Sequence, residues 1–253
     1  MINKTFQGNL QVREFETREE MGTDAAQAVT ATIKELLKEK EYVNMVFASA
    51  PSQNEFLAGL VNAEDVDWSR VVAFHMDEYI GLPSGHPQTF ANFLRKKLFD
   101  QLPIHKFHYI DGNADDATAE SERYGQLLID NPIDIVCMGI GENNHIAFNE
   151  PHIADFKDPE LVKIVDLDGK SRQQQVNDGC FPSIEKVPTH ALTLTIPALT
   201  AAKYIYCIVP GKNKAKAVHH TLNEEISPRY PSTVLRTHPD AILFLDKDSA
   251  SAL

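Results

Sequence analysis

Ile133-Asp-Ile-Val-Cys-Met-Gly-Ile-Gly-Glu-Asn-Asn-His-Ile-Ala-Phe-Asn-Glu-Pro151 decides how the rest of the chain is read. Its first part, Ile133 to Met138, is an apolar run of the kind a strand buried on both faces must have. Gly139 and Gly141 then break the run, where backbone bends sharply or comes close to a ligand. Asn143, Asn144, His145 and Glu150 follow. A polar, titratable cluster past the carboxyl end of a buried strand is where open α/β sheets bind ligands. Taken alone, His145 is more simply read as a surface histidine on an ordinary strand-to-helix loop.

Outward from this stretch the same pattern repeats. Toward the N-terminus, Leu10 to Glu16 reads as a short strand. Thr17-Arg-Glu-Glu is a helix start of the capping-box type, and Ala25, Ala28, Val29, Ile33, Leu36 and Leu37 mark one helical face. Val43 to Ser49 is a buried strand that turns through Ala50-Pro-Ser-Gln-Asn into a helix carrying Phe56, Leu57 and Leu60. Ser49 and Ser52 at that turn suit an anion held by backbone N–H groups, or they simply cap the helix. Val71 to Met76 is a third strand, and Asp77-Glu78 follows it directly; alone, that pair reads as a solvated loop. A helix (Gln88 to Leu98), a short strand (Phe107 to Ile110) and a helix (Asp115 to Leu128) lead back to the opening stretch.

Beyond Pro151 the pattern loosens over some forty residues, a length that suggests a functional lid. Ala191 to Ile196 and Tyr204 to Val209 are strands. Pro210-Gly-Lys turns from the second into a helix whose first turns carry Lys212, Lys214 and Lys216. Cations there oppose the helix dipole and ask for an anionic partner. Thr233 to Thr237 is a short helix and Ala241 to Leu245 the last strand. Strands alternating with helices at this spacing predict an α/β fold, a three-layer αβα sandwich with a mainly parallel, doubly wound sheet. One domain over residues 1–253 is expected, with a lid or insertion around 151–185.

Composition narrows the function. An apolar fraction of 43% and a charged fraction of 24% are those of a globular protein. A net charge of −12 argues against nucleic-acid or anionic-membrane partners. No apolar run reaches 18 residues and no signal-peptide core opens the chain, so a cytoplasmic protein is expected. Cys137, Cys180 and Cys207 read as free thiols in a reducing compartment. Gly139-x-Gly-x-x-Asn144 lacks the third glycine of a dinucleotide fingerprint, and no P-loop or nucleophile elbow occurs. His219 and His220 point about 100° apart on a helix, and His105 and His108 face opposite sides of a strand, so no metal or cofactor is expected. Hydroxyls and lysines suit a phosphate, while carboxylates and a histidine suit proton transfer. Converging at one sheet edge, they suggest an enzyme moving protons on a small phosphorylated molecule.

Phe74-His-Met-Asp-Glu-Tyr-Ile-Gly-Leu82 and Gly139-Ile-Gly-Glu-Asn-Asn-His-Ile-Ala-Phe-Asn-Glu-Pro151 resemble the two signature segments of the glucosamine-6-phosphate deaminase/isomerase family. The likeness continues through Val187-Pro-Thr-His-Ala-Leu-Thr-Leu and Pro-Gly-Lys-Asn-Lys-Ala near 214. The resemblance implies conversion of glucosamine 6-phosphate to fructose 6-phosphate and ammonia, a hydrolase/isomerase chemistry of amino-sugar and N-acetylglucosamine catabolism. It makes Asp77 the base at C2, His145 the ring-opening proton shuttle and Glu150 the carboxylate that orients or charges it. Lys214 becomes the phosphate lysine, Ser49 and Ser52 part of the phosphate loop, and Glu78 and Arg172 further substrate contacts. The family occurs in more than one oligomeric form, so a homo-oligomer is compatible with it.

Four departures stand out. Asn143 occupies the place of an aspartate that would charge the histidine, and Asn144 that of a glycine. The first loop lacks a Thr-Gly-Gly-Thr cradle, and the Ser-Arg-Phe-Phe pattern around Arg172 is missing. These leave open a galactosamine-6-phosphate isomerase, a 6-phosphogluconolactonase-like hydrolase, or a sugar-phosphate sensor that has lost catalysis. The Ile-Ala-Phe-Asn-Glu-Pro tail after His145 speaks against the lactonase.

Overall fold

Alternating apolar and β-branched residues set the strands, and helices fill the intervals between them. The computed structural model describes residues 1–83 and 85–253. The chain opens with β1 (Asn3–Gln7), exposed throughout, which turns at Gly8 into β2 (Leu10–Phe15). Helix α1 (Arg18–Leu36) starts at Thr17, whose hydroxyl accepts from the Glu20 N–H, and it buries Ala25, Val29, Ile33 and Leu36. Then come β3 (Val43–Phe47), α2 (Asn54–Val61), β4 (Val71–His75) and β5 (Asp77–Tyr79). Helix α3 (Phe90–Leu94) runs on into a π-helical turn, Arg95–Phe99. The middle of the chain supplies β6 (Lys106–His108), α4 (Ala117–Asp130), β7 (Ile135–Met138), β8 (Val162–Asp166) and α5 (Gly169–Asn177). It ends with β9 (His190–Leu194), α6 (Ile196–Thr200), β10 (Tyr204–Val209), α7 (Ala215–Asn223) and β11 (Ala241–Asp246).

Eight strands form one sheet in the order β1-β2-β11-β10-β7-β3-β4-β6, and only β1 runs antiparallel to its neighbour. Successive side chains of a strand point to opposite faces, and here both faces are covered. Met45, Phe47, Ile135 and Cys137 pack into the core under α1 and α2, while Val46, Val136 and Met138 pack into the core on the other side. Continuous apolar runs are therefore what these strands need, and the expected three-layer, mainly parallel fold is borne out. From β3 the chain steps outward through β4 to β6, then returns to β7 and steps the other way through β10 to β11. The order reverses between β3 and β7, where an open sheet leaves a crevice at its carboxyl edge.

Two strand assignments need correction. β5, β9 and β8 form a separate three-stranded antiparallel sheet, so Asp77-Glu78 is buried strand rather than solvated loop, and residues 191–194 lie outside the parallel sheet. Only Met76 separates β4 from β5, and its carbonyl accepts from the Leu194 N–H at 2.8 Å. One continuous extended segment thus serves two sheets. The loosely patterned residues after Pro151 hold β8 and α5. Among the described residues no helix is long and apolar enough to cross a membrane. All three cysteines are free, with Cys137 and Cys207 buried in strands.

Tyr124 of α4 ties this edge together. Fully buried, its hydroxyl accepts from the His75 N–H at 3.0 Å and lies 3.0 and 3.1 Å from the carbonyls of His75 and His108. Tyr124→Phe removes the hydroxyl from these backbone groups and leaves the buried His75 N–H without this acceptor. It should lower stability by about 1–3 kcal/mol, read as a lower urea midpoint at unchanged slope.

Candidate active site

At the β3–β7 reversal two loops splay apart, and β5 brings Asp77 beneath them. Together they enclose a cavity of about 70 Å3 lined by Ser49, Ser52, Gln53, Asp77, His145 and Lys214, with Phe90, Phe148, Gln174 and Gln175. Five of the residues singled out in the sequence thus meet in one place.

Gly141 is required by the histidine. A Cβ on it would overlap the His145 ring, so the imidazole lies directly on bare backbone. The turn is closed by the Gly141 N–H to the His145 carbonyl at 2.9 Å and the Asn144 N–H to the Gly141 carbonyl at 3.0 Å. Asn144 supplies the left-handed residue of this turn, φ 69°, a conformation asparagine tolerates better than most side chains. Its buried amide donates to the Ala217 carbonyl at 2.7 Å and the Ser232 hydroxyl at 2.9 Å, and its oxygen faces His220 Nδ1 at 3.1 Å.

His145 Nδ1 lies 2.7 Å from Asn143 Oδ1 and 3.1 Å from Ser171 Oγ. With a carbonyl oxygen as its near partner, Nδ1 carries the hydrogen, and Nε2 is left as the acceptor. Asn143 Nδ2 in turn donates to Asp168 Oδ2 at 3.3 Å. The amide therefore links imidazole to carboxylate where a direct contact was expected of Glu150. Burial, and then the charge of Lys214, push the His145 pKa down to about 3, with Asp168 only partly opposing. The imidazole is neutral at pH 7.

Glu150 is fully buried, and no hydrogen bond among the described residues joins it to His145. Its Oε2 accepts from the Asp168 N–H at 3.1 Å while Oε1 has no partner among the described residues, and burial raises its pKa to about 8. For Asp168 burial works the other way from its hydrogen bonds, chiefly from the Ser171 N–H, and these prevail, leaving it below its ordinary value. Glu150, His152 and Asp168 place donor atoms within 4.8 Å of one another, the one group among the described residues with metal-ligand spacing. Asp168 and the Glu150 Oε2 are already engaged by the hydrogen bonds just described.

Asp77, 7% exposed, is held well above its ordinary pKa by burial and then by the charge of Glu78. Glu78 itself turns away. Its carboxylate accepts N–H groups of Tyr79, Phe90 and Ala91, each at 3.0 Å, and so caps α3 instead of lining the cavity. Burial outweighs those three bonds and raises its pKa to about 7. Arg172 is likewise outside, because its guanidinium donates to the Ile184 and Val187 carbonyls at 2.7 and 3.0 Å. Neither serine caps α2: the turn before it begins at Ala50 without a side-chain cap, and the buried Ser49 hydroxyl has no partner among the described residues. Lys214 is 5% exposed and makes no ion pair among the described residues, whereas Lys212 and Lys216 are exposed. Burial lowers its pKa, with Asp178 and Glu142 opposing.

Sequence reasoning missed Ser171, Gln174 and Gln175, all on α5. Their one signal was the length and polarity of the segment that holds them.

The family model for glucosamine-6-phosphate isomerases/6-phosphogluconolactonase matches residues 16–243. Glucosamine-6-phosphate deaminase of Bacillus cereus is 35% identical over 228 residues, covering 90% of this chain and 85% of that one. A monomeric glucosamine-6-phosphate deaminase of the NagB superfamily has a solved structure that superposes with a TM-score of 0.87 at 32% identity, covering 96% and 99% of the two chains. A 6-phosphogluconolactonase from Thermotoga maritima shares the fold, with a TM-score of 0.75 at 20% identity over 93% and 99%. The chain belongs to the glucosamine-6-phosphate isomerase/6-phosphogluconolactonase family.

Proposed function

We propose that the protein converts glucosamine 6-phosphate to fructose 6-phosphate and ammonia, with Asp77 and His145 as its proton carriers. The observation that carries this reading is that a buried carboxylate, a neutral imidazole with a free Nε2, a buried lysine and an unpartnered serine hydroxyl line one cavity. Lys214 and the hydroxyls of Ser49 and Ser52 hold the phosphate. His145 Nε2 takes the proton from O1 of the closed sugar and returns it to O5, breaking the C1–O5 bond and exposing the aldehyde. Asp77 removes the proton at C2 and delivers it to C1 while a proton passes from the amino nitrogen to O1, so C1 becomes a hydroxymethyl group and the carbonyl oxidation level moves to C2 as an imine. Water adds at C2 and ammonia leaves, giving the ketose; this last step is the hydrolytic part of the reaction.

The 4-hydroxyl configuration rests on the relatives' names rather than on any residue of the cavity. Residues 151–185 serve as the lid of a single-domain chain. The cavity of about 70 Å3 is smaller than the roughly 300–1,000 Å3 of typical small-molecule sites, and α5, which lines it with Gln174 and Gln175, is the element we infer to move when a hexose phosphate enters. Function in amino-sugar catabolism in the cytoplasm fits the substrate.

Three outcomes test the reading. Asp77→Asn should reduce ammonia release from glucosamine 6-phosphate by about 10²–10⁴-fold without lowering the thermal midpoint. Equal turnover in the variant, or lactone hydrolysis without ammonia release in the native enzyme, would overturn it. Asn143→Asp places a charge against Nδ1 and should raise the His145 pKa by about 1–3 units, followed by imidazole NMR titration. An unmoved titration would remove Asn143 from its positioning role. Burial holds Glu150 protonated up to about pH 8, whereas in the unfolded chain it ionises near 4.5. Its contribution is therefore complete below pH 4.5 and lost as pH rises through 8. His75 and His145, lowered to about 3, act oppositely below 6.5. Between pH 6.5 and 8 stability should fall with rising pH, and Glu150→Gln should flatten that slope in urea titrations.

A further inference from the structure

Beside the catalytic cavity, and sharing Gln174 of α5 with it, lies a second and larger cleft of about 760 Å3. Its walls come from α5, from the first turns of α7, from the loop 142–144 and from Arg229-Tyr230. Lys170, Lys216 and Arg229 face it, with His220 beside them, and Glu142 is the only carboxylate on its lining. That carboxylate already accepts from Asn213 Nδ2 at 2.8 Å. A protein of net charge −12 thus gathers three permanent cations around one concave surface. Lys216 stands in the first turn of α7, where the helix dipole opposes a cation. None of the three cations forms an ion pair among the described residues. On the α5 wall Gln173 Nε2 donates to Asn177 Oδ1 at 3.0 Å, and the Asn177 amide nitrogen is a further neutral donor on the lining.

We infer that this cleft binds a small multivalent anion of the phosphate ester or pyrophosphate class, separately from the substrate. The cleft shares walls with the catalytic machinery. Ser171 and Gln174 of α5 line it, and Ser171 also reaches His145 Nδ1. His220 holds Asn144, and Asn143 holds the His145 ring from the same loop. An anion bridging Lys170 on α5 to Lys216 and Arg229 on the opposite wall clamps α5 in its closed position. A protein clamped in this way resists the movement of α5 that the proposed function calls for, and so binds substrate more weakly. This regulatory consequence rests on the proposed function; the binding itself does not.

The test is calorimetric titration of inorganic pyrophosphate at low ionic strength into three proteins: the native chain, Lys214→Met and the double variant Lys216→Ala/Arg229→Ala. Lys214→Met, which removes the cation of the catalytic cavity, should retain one binding event. The double variant should weaken that second event by roughly tenfold, the scale of two partly exposed ion pairs. Should Lys214→Met fail to fold, the other two isotherms decide, with two binding events on the native chain and one of them weakened roughly tenfold in the double variant. Loss of all binding in a folded Lys214→Met protein, or equal stoichiometry and affinity in native chain and double variant, overturns the proposal. Either outcome leaves the ammonia-release assay unaffected, so failure of the anion site and failure of the proposed function are read separately.

Discussion

The Ala48 N–H donates to the Cys137 carbonyl at 2.9 Å, the last rung between β3 and β7. Past this bond the two central strands have no further common partner, because the sheet is built outward from them in opposite directions. One loop leaves with Ser49 and Ser52, the other with Gly139, Gly141 and His145. Everything chemical in the protein is placed relative to that divergence. The buried strands cannot shift register without exposing apolar side chains to water, so the loops inherit a rigid base. β5 then adds Asp77 from below, fixed because its strand continues β4 after a single residue.

Much of this was legible in the residues, and what was legible shares a cause. Strands buried on both faces must be continuously apolar, so β3, β4, β7 and β10 announce themselves, as does the Thr17 cap of α1. The break at Gly139 and Gly141 marks the site for an equally simple reason: a side chain at 141 would occupy the space of the His145 ring. β1 was not legible because an exposed edge strand has no apolar pattern to show. The second sheet was hidden for a different reason. Whether Asp77 and Glu78 are solvated or buried depends on β9, more than a hundred residues away, and no local signal carries that. Arg172 and Glu78 illustrate the limit for site residues. Their chemical types suit a phosphate or a sugar hydroxyl, yet backbone carbonyls and helix N–H groups claim them first.

The electrostatics in and around the cavity follow from burial more than from partners. Asp77, Glu78 and Glu150 are all held above the usual carboxylate range and His145 below the usual imidazole range. Desolvation disfavours whichever form is charged, so the site is poised with its groups closer to neutral than the same groups in water. Asn143 belongs to this economy of charge. An aspartate there would stabilise an imidazolium, whereas the amide hands the histidine a hydrogen bond and leaves the nearest low-pKa carboxylate, Asp168, one residue removed. A neutral histidine is the form that accepts a proton from a sugar hydroxyl.

The narrowness of the catalytic cavity has a thermodynamic side. If only a fraction of molecules has α5 lifted at any moment, the measured dissociation constant for the sugar equals the intrinsic one divided by that fraction. Affinity is then set partly by residues that never meet the sugar. Asp168, whose carboxylate caps α5 through the Ser171 N–H at 2.8 Å, is one of them. Changes that weaken the seating of α5 raise the competent population and tighten apparent binding, while changes that improve its packing do the reverse. On the proposed function, the seating of α5 and affinity for the substrate are opposed quantities, and selection for one is felt by the other.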